Sequence, residues 1–184
     1  MTLDSQLRIL VLATGGTIDK HYDPAIGGLS LANPALESAL EALWQPSIQT
    51  VVERLMAIDS LDMTTADQLM IVDTLMSHAA AGQYHAIIVT HGTDRLAATA
   101  RLAAERGPAI PTIFTGAMVP AACVGSDAHA NLAQAILAAG VQPPGVYVVF
   151  HGRVIPAEQA VKDVTKQTFM DQRWQHIDPT GQRS

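Results

Sequence analysis

The 184-residue sequence is poor in cysteine, aromatic residues and charge. Cys123 is its single cysteine, so an intrachain disulfide is impossible, and its context favours a small buried hydrophobic residue over a nucleophile. Aromatic residues make up 4% of the chain and charged residues 15%, whereas 48% of the residues are hydrophobic. Such a chain can bury one sizeable core, so we expect a single domain over residues 1–184 with a polar tail at 169–184.

Positive charge and long apolar runs are also scarce. The net charge of -6 leaves no basic footprint for nucleic acid or an anionic membrane, so neither is an expected partner. No window reaches the length of a transmembrane helix. The segment from Met1 to Arg8 lacks the cationic and apolar regions of a secretory signal, so we expect a cytoplasmic protein.

Patterns that bind metals or nucleotides are missing as well. The seven histidines contain no i, i+4 pair and have no cysteine companions, so no metal site is expected. Gly15 and Gly16 form neither the three spaced glycines of a dinucleotide loop nor the Gly-Lys-Ser/Thr of a phosphate-binding loop. Neither of these two nucleotide-binding motifs is therefore present.

Strand-like and helix-like segments alternate along the chain, which predicts an α/β fold with three layers. In this Rossmann-like or flavodoxin-like arrangement, a mostly parallel sheet carries helices on both faces. Asn33-Pro34 marks the start of the first helix, and Thr65 with Gln68 resembles a capping box. The predicted strands cover residues 7–12, 48–55, 86–90, 112–115 and 145–150, and the remaining helices cover 65–82, 94–106 and 127–139.

Two of the predicted strands end in glycine flanked by hydroxyl groups. The first is Leu12-Ala-Thr-Gly-Gly-Thr-Ile-Asp-Lys20, which makes Thr14 and Thr17 candidates for chemistry, and the second is Ile87-Ile-Val-Thr-His-Gly-Thr-Asp94. Glycine lets a backbone approach a ligand closely, and ligands bind at the carboxyl ends of strands in open α/β sheets. A simple turn explains Gly-Gly after a strand equally well on local grounds. Two such ends facing one pocket favour a functional site.

These segments resemble a known family. Ala13-Thr-Gly-Gly-Thr-Ile18 and Thr90-His-Gly-Thr-Asp94 are similar to the two signature segments of the bacterial-type L-asparaginases. Shorter segments agree with this resemblance: Ile58-Asp-Ser-Leu-Asp-Met63, Gly116-Ala-Met-Val-Pro120, Asn131-Leu132 and Asp163-Val-Thr-Lys166. The similarity runs from about Arg8 to Thr168 and corresponds to the amino-terminal domain of the usual two-domain enzyme.

The resemblance implies two groups of catalytic residues. Thr17 is the implied nucleophile, and Tyr22, on the loop from Asp19 to Ala32, is the implied tyrosine that closes over the substrate. The second group is a hydrogen-bonded set in which a lysine, balanced by a carboxylate, shares a proton with a hydroxyl. Its members by resemblance are Thr93, Asp94 and Lys166.

Substrate contacts follow from the same resemblance. Ser60 stands where the family binds the α-carboxylate, and Asp94, beside Thr93, stands where it binds the α-amino group. We expect Asp59 to cap its loop, with a polar contact at the pocket as the alternative. Two residues depart from the family pattern: Leu61 replaces a common glutamine, and Arg95 replaces a small hydroxyl residue. His91, inside the second signature segment, is expected to brace the turn by hydrogen bonding.

The implied function is an amidohydrolase that cleaves the side-chain amide of L-asparagine through an acyl-enzyme on Thr17, without a cofactor. Glutamine or another short ω-amide is an alternative substrate, and a non-catalytic amino-acid-binding or regulatory module is the alternative function. Family members borrow polar groups from a neighbouring protomer's carboxyl-terminal domain, which has no counterpart in the matched region. We therefore expect weak substrate binding and a homo-oligomer.

Overall fold

The computed structural model describes residues 6–31 and 35–174, and its centre is a six-stranded sheet. The strands are β1 (Leu7–Gly15), β2 (His21–Asp23), β3 (Gly28–Ser30), β4 (Ile48–Ile58), β5 (Ala86–Thr90), β6 (Pro111–Thr115), β7 (Gly145–Phe150), β8 (Arg153–Pro156), β9 (Ala160–Asp163) and β10 (Thr168–Asp171). The helices are α1 (Leu36–Ala42), α2 (Thr65–Ala81), α3 (Leu96–Arg106) and α4 (Ala128–Val141). Short 3₁₀ turns cover Thr17–Asp19, Ala157–Gln159 and Gln172–Trp174.

The central sheet has apolar layers on both faces. Its order is β4-β1-β5-β6-β7-β8, and every neighbouring pair is parallel except β7 with the edge strand β8. Alternate residues of β1 point to opposite faces, so Leu10 and Leu12 pack with α2 and α3, whereas Ile9 and Val11 pack with α1 and α4. The predicted three-layer α/β fold is confirmed.

The order of the parallel strands creates a crevice at the carboxyl ends of β1 and β5. The chain leaves β1 toward α1, on one face, and leaves β5 toward α3, on the other face. Without the β2–β3 hairpin, the parallel strands follow the order 2-1-3-4-5 of doubly wound folds, in which ligands bind where the direction of winding reverses. Both signature segments end at this point.

Several elements differ from the sequence-based expectations. The loop from Asp19 to Ala32 contains the β2–β3 hairpin, and the capping box is one residue earlier, at Thr64 and Asp67. Asn33-Pro34 lies outside the described residues. β8, β9 and β10 were not predicted, because four-residue strands have too few positions to show alternation. β10 and the following 3₁₀ turn occupy the start of the expected polar tail, whose residues 175–184 lie outside the described part.

Neighbouring strand ends approach each other so closely that only glycine fits between them. A methyl group added at Gly16 would lie 2.4 Å from the Cα of Gly92, and one added at Gly92 would lie 2.4 Å from Ser60 Oγ. At Gly116, after β6, the added methyl would lie 2.4 Å from the carbonyl oxygen of His91. Such contacts are shorter than van der Waals separation, so any side chain would force the loops apart.

Gly116→Ala should therefore destabilise the fold. The oxygen it meets belongs to backbone, which cannot rotate away, so we expect a loss of about 1–3 kcal/mol in the free energy of unfolding. Gly28→Ala is the matched control, because its added methyl would have no neighbour closer than 4.0 Å. Urea denaturation of both variants measures the difference. Equal stability for the two variants would contradict the close approach.

Candidate active site

A lysine, a threonine and an aspartate form one hydrogen-bonded group at the carboxyl end of β5. Lys162 Nζ donates to Thr93 Oγ1 at 2.8 Å and lies 2.8 Å from Asp94 Oδ1. Thr93 is buried, and the side chains of Lys162 and Asp94 are 22% and 40% exposed. An ammonium group has only donors, so Thr93 Oγ1 must accept from Lys162, which leaves the hydroxyl hydrogen of Thr93 for another partner.

The lysine that is hydrogen bonded to Thr93 and Asp94 is Lys162. The sequence-based prediction that Lys166 occupies this place is therefore wrong. The side chain of Lys166 is 71% exposed, and its Nζ lies 3.7 Å from Asp163 Oδ2. The Asp-Val-Thr-Lys residues 163–166 form a turn in which Asp163 Oδ1 accepts the backbone N–H groups of Thr165 and Lys166. Lys162 precedes this turn and lies on β9. The signal available in the sequence was a lysine directly after the apolar pair Ala160-Val161.

Aromatic packing holds the β9–β10 hairpin, and with it Lys162, against the sheet. Phe169 on β10 pairs with Lys162 in register and is fully buried, and its ring stacks edge-on against Phe150 of β7 with 5.0 Å between centroids. Arg101 of α3 adds a hydrogen bond of 2.9 Å from Nη1 to the carbonyl oxygen of Ala160. Sequence reasoning missed Phe169 and Arg101, because their roles depend on contacts between distant segments.

A second link to this hairpin runs through Asp127, which precedes α4. Its carboxylate accepts the N–H groups of Met118 and Val119 at 2.9–3.0 Å and contacts His151 Nε2 at 2.9 Å. His151 Nδ1 in turn lies 2.9 Å from Thr168 Oγ1 on β10. Burial raises the pKa of Asp127, but these amide and imidazole hydrogen bonds outweigh burial, so its pKa is lowered. Asp127 thus fixes the turn after β6.

Ser60, the predicted contact for a substrate α-carboxylate, forms the floor of the crevice together with Asp94. Its hydroxyl donates to Asp94 Oδ2 at 3.3 Å and accepts the backbone N–H of Asp94 at 3.2 Å. The two carboxylate oxygens of Asp94 are therefore shared between Ser60 and Lys162. The structure brings together the side chains of Ser60, Thr93 and Asp94.

Thr17 lies at the carboxyl end of β1, at the start of a 3₁₀ turn. The N–H of Gly16 donates to the carbonyl oxygen of Ile58 at 3.1 Å, which places the turn beside the Ser60 segment. Thr17 is partly buried, and its hydroxyl makes no hydrogen bond within residues 6–31 and 35–174. Thr14 is different: it is fully buried and donates to the carbonyl oxygen of Thr90 at 2.9 Å. Thr14 therefore links β1 to β5 and is not available for chemistry.

Tyr22, Asp59 and Leu61 are the remaining residues singled out from the sequence. Tyr22 is 64% exposed on β2, opposite Leu29, and makes no hydrogen bond to Thr17. Asp59 caps its loop as expected, since Oδ1 accepts the N–H of Leu61 at 3.1 Å. Its other oxygen binds the ammonium group of Lys20, and this hydrogen bond is the largest cause of its lowered pKa. Leu61 is 71% exposed.

His91 braces the turn between β5 and Thr93 by hydrogen bonding. It is fully buried, with Nδ1 2.8 Å from the carbonyl oxygen of Gly92 and Nε2 3.0 Å from Thr99 Oγ1. A carbonyl oxygen only accepts, so Nδ1 carries the proton. Burial lowers the pKa of His91 to about 4, against a smaller opposite effect of the bond to Gly92, so the ring is neutral at pH 7.

Neither a metal cluster nor a membrane span occurs in the described part of the chain. Across residues 6–31 and 35–174, histidine, cysteine and acidic side chains do not gather in groups of three or more that would hold a metal ion. In the same residues, no helix combines the length and the apolar character that crossing a membrane requires.

Comparison with known proteins identifies the relatives of this arrangement. A family model described as Asparaginase, N-terminal, matches residues 8–177. The L-asparaginase of Thermococcus kodakarensis is 32% identical over 159 residues, which cover 81% of this chain and 45% of that protein. The glutaminase-asparaginase of Pseudomonas aeruginosa is 28% identical over 174 residues, which cover 87% of this chain and 46% of that protein.

A solved structure agrees with these sequence relatives. The thermostable L-asparaginase from Thermococcus kodakarensis matches with a TM-score of 0.79 at 26% identity, covering 90% of this chain and 51% of that one. The chain thus spans about half the length of this structure, and less than half of the two curated relatives.

The buried His91 predicts a loss of stability in mild acid. The unfolded chain takes up this proton near pH 6.5 and the folded chain only near 4, so the free energy of unfolding should fall as the pH drops between these values. The loss reaches about 3 kcal/mol at the acid end of this window. His91→Gln should flatten the dependence between pH 6.5 and 4.5, whereas His129→Gln, on α4, should preserve it. Urea denaturation across this range provides the measurement, and an unchanged slope in His91→Gln would contradict the assignment.

Proposed function

The chain belongs to the asparaginase family, and from this membership and its site we propose that it is an amidohydrolase cleaving the side-chain amide of L-asparagine to aspartate and ammonia. The observation that carries the proposal is the pair of 2.8 Å contacts from Lys162 Nζ to Thr93 Oγ1 and Asp94 Oδ1. A module that only binds amino acids does not need a lysine held against one hydroxyl at a crevice that also contains the hydroxyl of Thr17. This supports catalysis over the non-catalytic alternative.

The proposed reaction has two stages. Thr17 Oγ attacks the amide carbon, the C–N bond breaks, and the hydroxyl proton passes to the departing nitrogen, which leaves as ammonia. A water molecule then attacks the acyl-threonine, which releases aspartate and returns the proton to Thr17. In both stages Thr93 is the proposed proton relay. The Lys162 hydrogen bond supports this role, because it occupies one lone pair of the Thr93 hydroxyl and leaves the hydroxyl hydrogen for another partner.

Asp94 and Ser60 are the proposed contacts for the α-substituents of the substrate. A carboxylate that is partly exposed attracts the α-ammonium group, and the Ser60 hydroxyl is the proposed donor to the α-carboxylate once it releases Asp94 Oδ2. The exposed Leu61 supplies no polar contact. Glutamine or another short ω-amide is the alternative substrate, and the expected homo-oligomer stays a prediction.

Ammonia release from a panel of ω-amides tests the proposed function. Purified protein is incubated with L-asparagine, L-glutamine and simpler ω-amides, and the steady-state constants are compared. Turnover that is highest with asparagine supports the proposal, and preference for glutamine would move it to the alternative substrate. Binding of aspartate without any turnover would support the non-catalytic module.

Thr17→Ala should keep the fold but reduce kcat by at least about a thousandfold, as expected when a covalent nucleophile is lost. Thr17→Ser, which retains a hydroxyl, is the matched control and should keep most of the activity. Ammonia release measures both variants, and thermal unfolding verifies that they are folded. Thr17→Ala with more than about a tenth of wild-type turnover would remove Thr17 from the nucleophile role.

Variants of Lys162 and Lys166 test which of the two lysines assists catalysis. Lys162→Met should lower kcat by about 10²–10⁴-fold, the usual effect of losing a group that assists proton transfer. Lys166→Met should leave kcat unchanged, because its side chain is 71% exposed and its ammonium group pairs with Asp163 instead of Asp94. The same ammonia assay compares them. A loss of activity in Lys166→Met but not in Lys162→Met would instead assign the catalytic role to Lys166, as the Asp-Val-Thr-Lys motif predicted.

A further inference from the structure

The turn that carries Thr17 is tied at both of its ends to the segment that carries Ser60. Before Thr17, the N–H of Gly16 donates to the carbonyl oxygen of Ile58 at 3.1 Å. After it, the ammonium group of Lys20 binds the carboxylate of Asp59. Thr17 lies between these two connections, so both affect where its hydroxyl stands relative to the floor of the crevice.

The Asp59 end of this ion pair is itself fixed. Asp59 Oδ1 accepts the N–H of Leu61 at 3.1 Å, and the backbone oxygen of Asp59 accepts the N–H of Asp62 at 2.9 Å. The next residue, Ser60, is hydrogen bonded to Asp94. A position defined by Asp59 is therefore defined relative to the Ser60–Asp94 floor.

The ion pair is partly shielded from water. The side chains of Lys20 and Asp59 are 23% and 27% exposed, so solvent screens their attraction less than it screens a pair on the open surface. The hydrogen bond from Lys20 is the largest cause of the lowered pKa of Asp59, so the carboxylate stays ionised at neutral pH.

Besides the backbone packing of Gly16 against Gly92, the other contacts of this turn lead away from the crevice floor. Ile18 is buried among α1 and α4, and its carbonyl oxygen accepts the N–H of Ala121. Asp19 accepts the N–H of Leu36 at 3.3 Å, and its other oxygen lies 3.5 Å from Arg54 Nη1 on β4. These contacts reach α1, α4 and an earlier part of β4, and they do not reach Ser60 or Asp94. Within residues 6–31 and 35–174, the Lys20–Asp59 pair is the side-chain contact that joins this turn to the Ser60 segment.

We propose that Lys20 and Asp59 act together as positioning residues that hold the Thr17 hydroxyl over the Ser60–Asp94 floor. The inference rests on the proposed function, in which Thr17 attacks a substrate held by Ser60 and Asp94. It gives Asp59 a role through Lys20 in place of the direct substrate contact considered from the sequence. Breaking the pair displaces the nucleophile while leaving the substrate contacts in place, so it lowers kcat and spares KM.

The test uses Lys20→Met, Asp59→Asn and the double variant, with Lys166→Met as the control lysine. Each single variant should lower kcat about tenfold, a modest fraction of the loss that misplacement of a reacting group by about 1 Å produces. KM should stay within about twofold, because the α-substituent contacts are untouched. The double variant should be no slower than the slower single variant, since both remove one interaction. Lys20→Arg, which retains the charge, should recover part of kcat.

A raised KM in Asp59→Asn together with a normal Lys20→Met would identify Asp59 as a substrate contact and overturn the inference. Additive losses in the double variant would overturn it as well. Amide hydrogen exchange of residues 15–20 gives a readout without turnover, and both single variants should exchange faster there than the wild type and Lys166→Met. An inactive wild type would refute the proposed function alone, whereas unchanged exchange in the variants would refute the positioning role.

Discussion

The backbone contact between the turns after β1 and β5 is the constraint on which the rest of the site depends. Gly16 and Gly92 leave no room for a side chain between them. Ser60, in the loop after β4, also packs closely against Gly92. Three loops that come from different parts of the chain are thereby brought to one place. The hydroxyl of Ser60 reaches both the backbone and the carboxylate of Asp94 only because Gly92 permits this approach. This arrangement of the three loops therefore requires glycine at positions 16 and 92, because any side chain there would separate them.

Charge is distributed over the same region so that the carboxylates around the crevice are paired with lysines. Asp94 is shared by Ser60 and Lys162, and Asp59 is paired with Lys20, so each of these two acidic groups has its own ammonium group. Beneath them, His91 is neutral, because burial disfavours its protonated form. The neutral ring supports the turn through its hydrogen bonds to Gly92 and Thr99. Burial of His91 thus stabilises the geometry of the floor while it limits stability in acid.

Much of the fold was accessible from the sequence because the parallel strands are buried on both faces. Residues such as Ile9 to Leu12 form continuous apolar runs, and those runs alternate with helical segments, which is enough to predict three layers. The edge elements were not accessible. β8, β9 and β10 are short, and the β9–β10 hairpin is stabilised by contacts with other parts of the chain, such as the packing of Phe169 against Phe150. The capping box shifted by one residue because Thr64 and Thr65 are equivalent to a local pattern, whereas only Thr64 has the extended backbone that capping needs.

The apolar runs predicted the strand ends that carry Thr17 and Asp94, and the family resemblance added Ser60. Thr17, Ser60, Thr93 and Asp94 all follow apolar runs within a few positions, which places them at one edge of the sheet. The identity of the lysine that meets them depended instead on tertiary packing. Lys162 and Lys166 are four residues apart, and the Asp-Val-Thr-Lys motif favours Lys166. The register of β9 with β10 and the burial of Phe169 instead bring Lys162 to Thr93. The same holds for Lys20 and Asp59, which are 39 positions apart. A contact between distant segments depends on packing that no local pattern encodes, because the energy that selects it belongs to the assembled core.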